Sequence, residues 1–237
     1  VRIVRQGTTV RAYRGSNDNE SLAEWVKMGE VQISAVDPLL VGLCVTAHNN
    51  DALCNAQFRD VSLDSTNQGS TWQSSDIGLC PPGSTTAVGT DGFDIQGSGK
   101  DIWDTADGFR FVYKTATGDF DIRTRVASVQ NTDSWAKAGV MVRQSTAANS
   151  IHATAVATAG NGFSFQRRTT AGGGSDHTTS WSTAYPNSWV RLARQGTTVR
   201  VYNAIDESGS TWTEMGTITL ATTDPVLLGL CVTSHNE

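Results

Sequence analysis

The chain has 237 residues, a formal net charge of −5 and a pI near 5.3. Its charges are mixed in sign, and no run of Lys or Arg suits nucleic acid or an anionic membrane surface. No stretch approaches the roughly 18 consecutive apolar residues of a membrane helix.

In chain order, the residues read as short strands. Val1–Arg5 and Thr9–Tyr13 form a hairpin turning at Gln6-Gly7-Thr8, where Gly7 suits a position of positive φ. Trp25–Met28 starts another strand, Asp37-Pro38 marks a turn, and Leu39–Thr46 and Phe58–Leu63 are further strands. The polar stretch 65–72 is a linker. After Trp72 comes a Gly- and Pro-rich opening, then a regular meander. Its strands are Phe109–Tyr113, Phe120–Val129, Ala138–Arg143, Ser150–Ala157, Phe163–Thr169, Trp189–Arg194, Thr198–Tyr202 and Val226–Thr233. Turn signals recur with no helical periodicity between them, so the fold class is all-β, an antiparallel β-sandwich of jelly-roll type.

Two stretches repeat. VRIVRQGTTVRAYR at 1–14 returns as VRLARQGTTVRVYN at 190–203, and DPLLVGLCVTAHNN at 37–50 returns as DPVLLGLCVTSHNE at 224–237. Trp25 matches Trp212 and His48 matches His235. Such a fixed period marks a tandem array. Residues 1–64 are therefore expected to be the C-terminal half of a first sandwich repeat. Residues 73–237 are expected to be a second repeat lacking its final strand, the counterpart of ALCNAQFRDVSL at 52–63. An open sandwich edge invites a strand from elsewhere in the chain or from another copy. One candidate is Phe58–Leu63, seated in the second unit.

Several segments of the second unit resemble one known family. They are Gly97-Ser98-Gly99-Lys100-Asp101-Ile102-Trp103, Ala106-Asp107-Gly108-Phe109, Asp133 through Arg143, Gly160 through Arg168, Trp189-Val190-Arg191-Leu192 and Gly229 through Asn236. The chain resembles the concanavalin A-like, or laminin G-like, jelly-roll domains of a family of unknown function common in secreted proteins. The resemblance implies a jelly roll and an accessory, ligand-binding module.

Catalytic patterns are thin. Some jelly rolls of that superfamily hydrolyse β-glucans with E-x-D-x-x-E on one strand, but no Glu occurs between Val31 and Asp206. Asp119 and Asp121 share a strand face near a turn and read as solvated. His152 and His177 lack a G-x-S-x-G partner motif. Asp101, Asp104 and Asp107 have oxygen-ligand spacing for Ca²⁺, but loop capping is the simpler role, and no cofactor or metal is expected.

The stronger candidate is a surface. If Val140, Val142, Ala153, Ala155, Phe163 and Phe165 face the core, alternation puts Lys137, Met141, Arg143, His152, Thr154, Ser164, Gln166 and Arg168 on the other face. Trp135 would border this patch, and Trp181 lies in a polar loop, whereas Trp103 and Trp189 read as core. Planar guanidinium and amide groups beside an aromatic suit sugar hydroxyls or acidic groups on glycans.

Cys44, Cys54, Cys80 and Cys231 are disulfide candidates. Cys44 and Cys231 are repeat equivalents, so an odd thiol per period is free for a neighbour; buried free thiols are the other reading. Asn19-Glu20-Ser21 is a glycosylation sequon. The expected protein is a secreted or cell-surface, non-catalytic repeat for adhesion or glycan recognition. The rival is a filament subunit whose sandwiches are completed by neighbouring repeats or copies.

Overall fold

The computed structural model describes residues 2–6, 9–15, 25–32, 43–59, 71–180, 187–206 and 208–235. Up to residue 59, side chains are described only at Lys27, Glu30 and residues 55–57. The expectations for Asn19, Trp181 and most of the linker fall outside these residues, as do those for the sulfurs of Cys44 and Cys54.

Every element among the described residues is a strand. The first four are β1 Arg2–Gln6, β2 Thr9–Gly15, β3 Trp25–Gln32 and β4 Leu43–Arg59. Then come β5 Gln73–Ile77, β6 Ser84–Val88, β7 Gly92–Gly99, β8 Ile102–Trp103, β9 Ala106–Asp107 and β10 Phe109–Ala116. Next are β11 Phe120–Val129, β12 Lys137–Arg143, β13 His152–Thr158, β14 Phe163–Arg168 and β15 Asp176–Ser180. The last are β16 Ser188–Gln195, β17 Thr198–Ala204, β18 Thr213–Thr219 and β19 Val226–Ser234.

Two large antiparallel sheets pack as a sandwich. One runs β18-β17-β16-β11-β4-β7-β6. The other carries β5-β10-β19-β12, and backbone hydrogen bonds from Gln144 to Ile151 and from Ala159 to Ala136 join β12 to the β13-β14-β15 ladder. Between the sheets lie Ile95, Val126, Val140, Val142, Ala153, Phe165, Val190, Leu192, Val201 and Leu230, all within one core cluster and nearly solvent-free. The side chains alternate along β11, where Phe120, Ile122, Thr124 and Val126 are buried and the residues between them are not. That period of two puts one face of the sheet on the core.

β12 and β13 break this pattern, because all their residues are buried. The six core positions expected on β12, β13 and β14 are inside, but so are the polar ones opposite them. Close packing sets the local composition. A Cβ at Gly139 would collide with the Ala155 carbonyl on β13, so the strand needs glycine there.

The small sheet β1-β2-β3 has the same register as β16-β17-β18. Gln6 pairs with Thr9 as Gln195 pairs with Thr198, and both β2–β3 and β17–β18 shift register at the same place, between Ala12/Tyr13 and Val201/Tyr202. In the second hairpin Gly196 takes φ +60° at the turn, as expected for its counterpart Gly7.

β4 replaces the two separate strands expected around residues 39–63 with one long element that serves both sheets. Cys54–Phe58 pairs with β7, and Ala56–Arg59 pairs with β11.

Candidate functional site

Burying the polar face of β12–β14 requires partners for its charges, since an uncompensated ion inside a protein is costly. The partners are loops. The segment 101–107, the loop after β12 and the loop after β14 converge on Arg168, which is fully buried. Its guanidinium donates to both carboxylate oxygens of Asp107, at 2.9 and 2.7 Å. It also donates to the carbonyls of Trp103, Ser150 and Gly173, at 2.9 to 3.1 Å. Arg143 lies 3.3 Å from the same carboxylate and donates to the carbonyls of Ser145 and Ala147. Its guanidinium sits 5.0 Å from the centre of the Phe109 ring. Burial raises the Asp107 carboxyl and lowers Arg143 to about 10, and the ion pairs oppose both shifts. His152 is held neutral by burial and by the two arginines; its Nδ1 bonds Thr154 Oγ1. This cluster clamps three loops to the sheet and exposes nothing to a ligand.

A second polar cluster opens to solvent beside it. A cleft of about 180 Å³ is lined by Asp101, Trp103, Trp135, Lys137, Gln166, His177 and His235. Trp103 and Trp135 stand edge-on to the intervening His177 ring, at 5.1 and 6.2 Å. Lys137, buried to 1% of its side-chain area, reaches Asp101 at 2.5 Å and lies 5.6 Å from the Trp135 ring. His235 spans two carboxylates, with Nε2 3.2 Å from Asp101 and Nδ1 2.8 Å from Asp133. The same Asp133 carboxylate caps the backbone N–H of Trp135, which fixes the loop bearing that ring. Burial pushes the Asp101 carboxyl up to about 6 against the opposing pull of Lys137, and burial lowers both Lys137 and His235. Gln166 is 3% exposed, and its Oε1 has no hydrogen-bond partner in the structure. A buried acceptor left unpaired costs about 1–3 kcal/mol.

The expected surface patch is thus divided in two. Trp135, Lys137 and Gln166 come together in the cleft. Arg143, His152 and Arg168 do not form an open basic surface: they are solvent-free, and their donors are committed to Asp107, Thr154 and loop carbonyls. Trp103, expected in the core, is half-buried and forms a wall of the cleft. Trp189 is buried as expected. The sequence reading missed Asp101, Trp103, His177 and His235 as one group. Their signal was present in the Gly97–Trp103 and Gly229–Asn236 segments, but only the fold joins those segments. As Ca²⁺ ligands, Asp101 and Asp107 are pre-empted, since Lys137, Arg143 and Arg168 neutralise them. Asp121 forms a bidentate pair with Arg191, and Asp119 accepts the Gly196 N–H, so this pair closes a strand edge. Cys80 is a free thiol, half-buried and donating towards the Ile77 carbonyl, so the expected disulfide through it is not formed.

No known protein family matches the chain, and no curated protein does. Among solved structures it is similar to a functionally unknown protein from Saccharomyces cerevisiae, at 18% identity and a TM-score of 0.48. That match covers 68% of this chain and 85% of the other.

Proposed function

We propose that the chain is a carbohydrate-binding, non-catalytic β-sandwich of an extracellular protein, and that the cleft between Trp103 and Trp135 is its sugar site. The observation that carries this reading is that two aromatic walls and the polar side chains of Asp101, Lys137 and Gln166 line one cleft. A sugar ring offers an apolar C–H face to an indole and hydroxyl donors to a buried acceptor. Lys137 is balanced by Asp101, and His235 lies between the Asp101 and Asp133 carboxylates, so the floor carries no surplus positive charge. That balance favours neutral sugars over the carboxylated or sulfated glycans that a free arginine patch would select. The jelly-roll topology and the repeat organisation belong to the same proposal. They are supported by the repeated register of β1-β2-β3 and β16-β17-β18.

A glycan array probed with the chain tests the proposal. Binding to neutral glycans is expected, abolished in Trp135→Ala and Gln166→Leu, with no product released from the bound sugar. Failure to bind any glycan, or binding indifferent to both substitutions, would overturn it.

A further inference from the structure

We propose that Lys137 and Asp101 are the reactants of a spontaneous isopeptide bond, an amide between Lys137 Nζ and Asp101 Cγ that ties β12 to the segment 99–108. The inference goes beyond the sugar site and does not depend on it. Asp107 and Asp101 are both paired with cations, but with different ones. Asp107 faces the guanidiniums of Arg143 and Arg168, which do not condense with a carboxyl. Asp101 faces a primary amine, with Nζ 2.5 Å from Oδ1. The Lys137 side chain is 1% exposed and that of Asp101 16%, and the Trp135 ring lies 5.6 Å from Nζ. Burial lowers the lysine and raises the carboxyl. Moving the proton from Nζ to the carboxylate, which yields the neutral amine and acid that an amide requires, therefore costs less here than in water. Two groups held in contact react with an effective molarity of up to about 10⁵–10⁸ M.

The two oxygens of Asp101 are held in different ways. Oδ1 accepts the Ile102 N–H at 2.7 Å, a donor fixed in place for the negative charge that this oxygen gains when Nζ attacks Cγ. Oδ2 lies 3.2 Å from Nε2 of His235, whose Nδ1 is 2.8 Å from Asp133. His235 is itself fixed. Its N–H donates to the Gly99 carbonyl at 3.2 Å, and its backbone sits in the left-handed region at φ +55°, which few residues other than glycine adopt. The step balances without a further reagent. The Nζ–Cγ bond forms, Oδ1 takes the charge and then re-forms the carbonyl, and the Cγ–Oδ2 bond breaks. His235 Nε2 gives a proton to the departing hydroxyl, which leaves as water, and the proton that Nζ surrenders restores His235. The structure holds the pair before condensation, and an Asp101 carboxyl free to titrate belongs to that state alone.

Intact-mass spectrometry of the full chain, freshly purified and after days of standing, tests the proposal. A species lighter by one water is expected, its share growing with time, and digestion is expected to release a branched peptide joining Lys137 to Asp101. Lys137→Arg keeps the cation but cannot condense, so it is expected to stay at full mass. His235→Gln, which cannot relay the proton, is expected to condense about tenfold more slowly or worse. A wild-type chain that stays at full mass overturns the proposal. So does a water loss that persists in Lys137→Arg, which would mark a cyclic imide at an aspartate instead, and so does condensation of His235→Gln at the wild-type rate. Should Lys137→Arg not fold, the branched peptide decides: its presence in the wild-type digest upholds the bond and its absence overturns it.

Discussion

Two polar clusters lie side by side under the loops of this sandwich, and they differ in whether they open to solvent. Around Asp107, two arginines and a ring of loop carbonyls meet each other's needs in a solvent-free space. Around the buried Lys137, Asp101 and His235 are only partly covered, two tryptophans stand at the rim, and a buried amide oxygen has no partner. The first arrangement is how a protein holds loops in place. The second is what a binding site looks like before its ligand arrives, because aromatic rings and polar side chains line an opening that a ligand can enter. Buried polar residues are common to both, as is a buried atom without a partner, His152 Nε2 in one and Gln166 Oε1 in the other; the opening to solvent tells them apart.

The contrast is broken most severely at Arg168. Arg168→Ala would leave Asp107 charged, buried and half-unpaired, and is expected to cost about 3–5 kcal/mol in urea unfolding. Arg168→Lys should recover little, because an ammonium cannot serve both oxygens of Asp107 and the surrounding carbonyls together. Gln166→Leu should behave in the opposite way. Removing an unsatisfied polar group leaves stability unchanged or slightly raised in the same assay, while glycan binding falls at least tenfold.

A pH series sharpens the comparison. The Asp101 carboxyl titrates at about 6 in the folded chain, above its unfolded value. The folded state therefore binds that proton more tightly than the unfolded state does. The resulting stabilisation is fully present at low pH and is lost as pH rises through about 6. Glycan affinity should change over the same interval, as the Asp101–Lys137 ion pair forms. Asp101→Asn is expected to flatten that profile, read by titration calorimetry at several pH values.

The smallest effect lies far from both clusters. Arg191 pairs with Asp121 and stacks near Tyr202 and Trp212, at 4.9 and 5.6 Å, but a quarter of its side chain is exposed. Arg191→Ala is expected to cost about 1 kcal/mol or less in thermal unfolding.

Local order was largely legible in the residues. The hairpin at Gln6-Gly7-Thr8, the span of β11 and the core positions of β12 to β14 follow from period-two alternation and turn chemistry, which act over a few residues. The register shift after Ala12 returns after Val201 because the same sequence is present in both places. What was not legible depends on loops folding back. Alternation showed that Arg143 and Arg168 face away from the core. It could not show that the segments 101–107, 145–150 and 170–175 would cover them, because no periodicity records where a loop docks. The cleft was hidden for the same reason. Asp101 and His235 stand far apart in sequence and meet through the Gly99 carbonyl, which accepts the His235 N–H at 3.2 Å. Trp103 looked like core because its neighbours are strand-like, yet β8 and β9 form only a short ribbon at the rim.

The most direct test of the account is a titration of the isotope-labelled chain with a neutral oligosaccharide, followed at the tryptophan indole N–H signals. The sugar-site reading predicts saturable shifts of the Trp103 and Trp135 signals at a common midpoint, with the buried Trp189 signal unmoved. Stationary Trp103 and Trp135 signals across neutral glycans, or a response confined to other tryptophans, would contradict it.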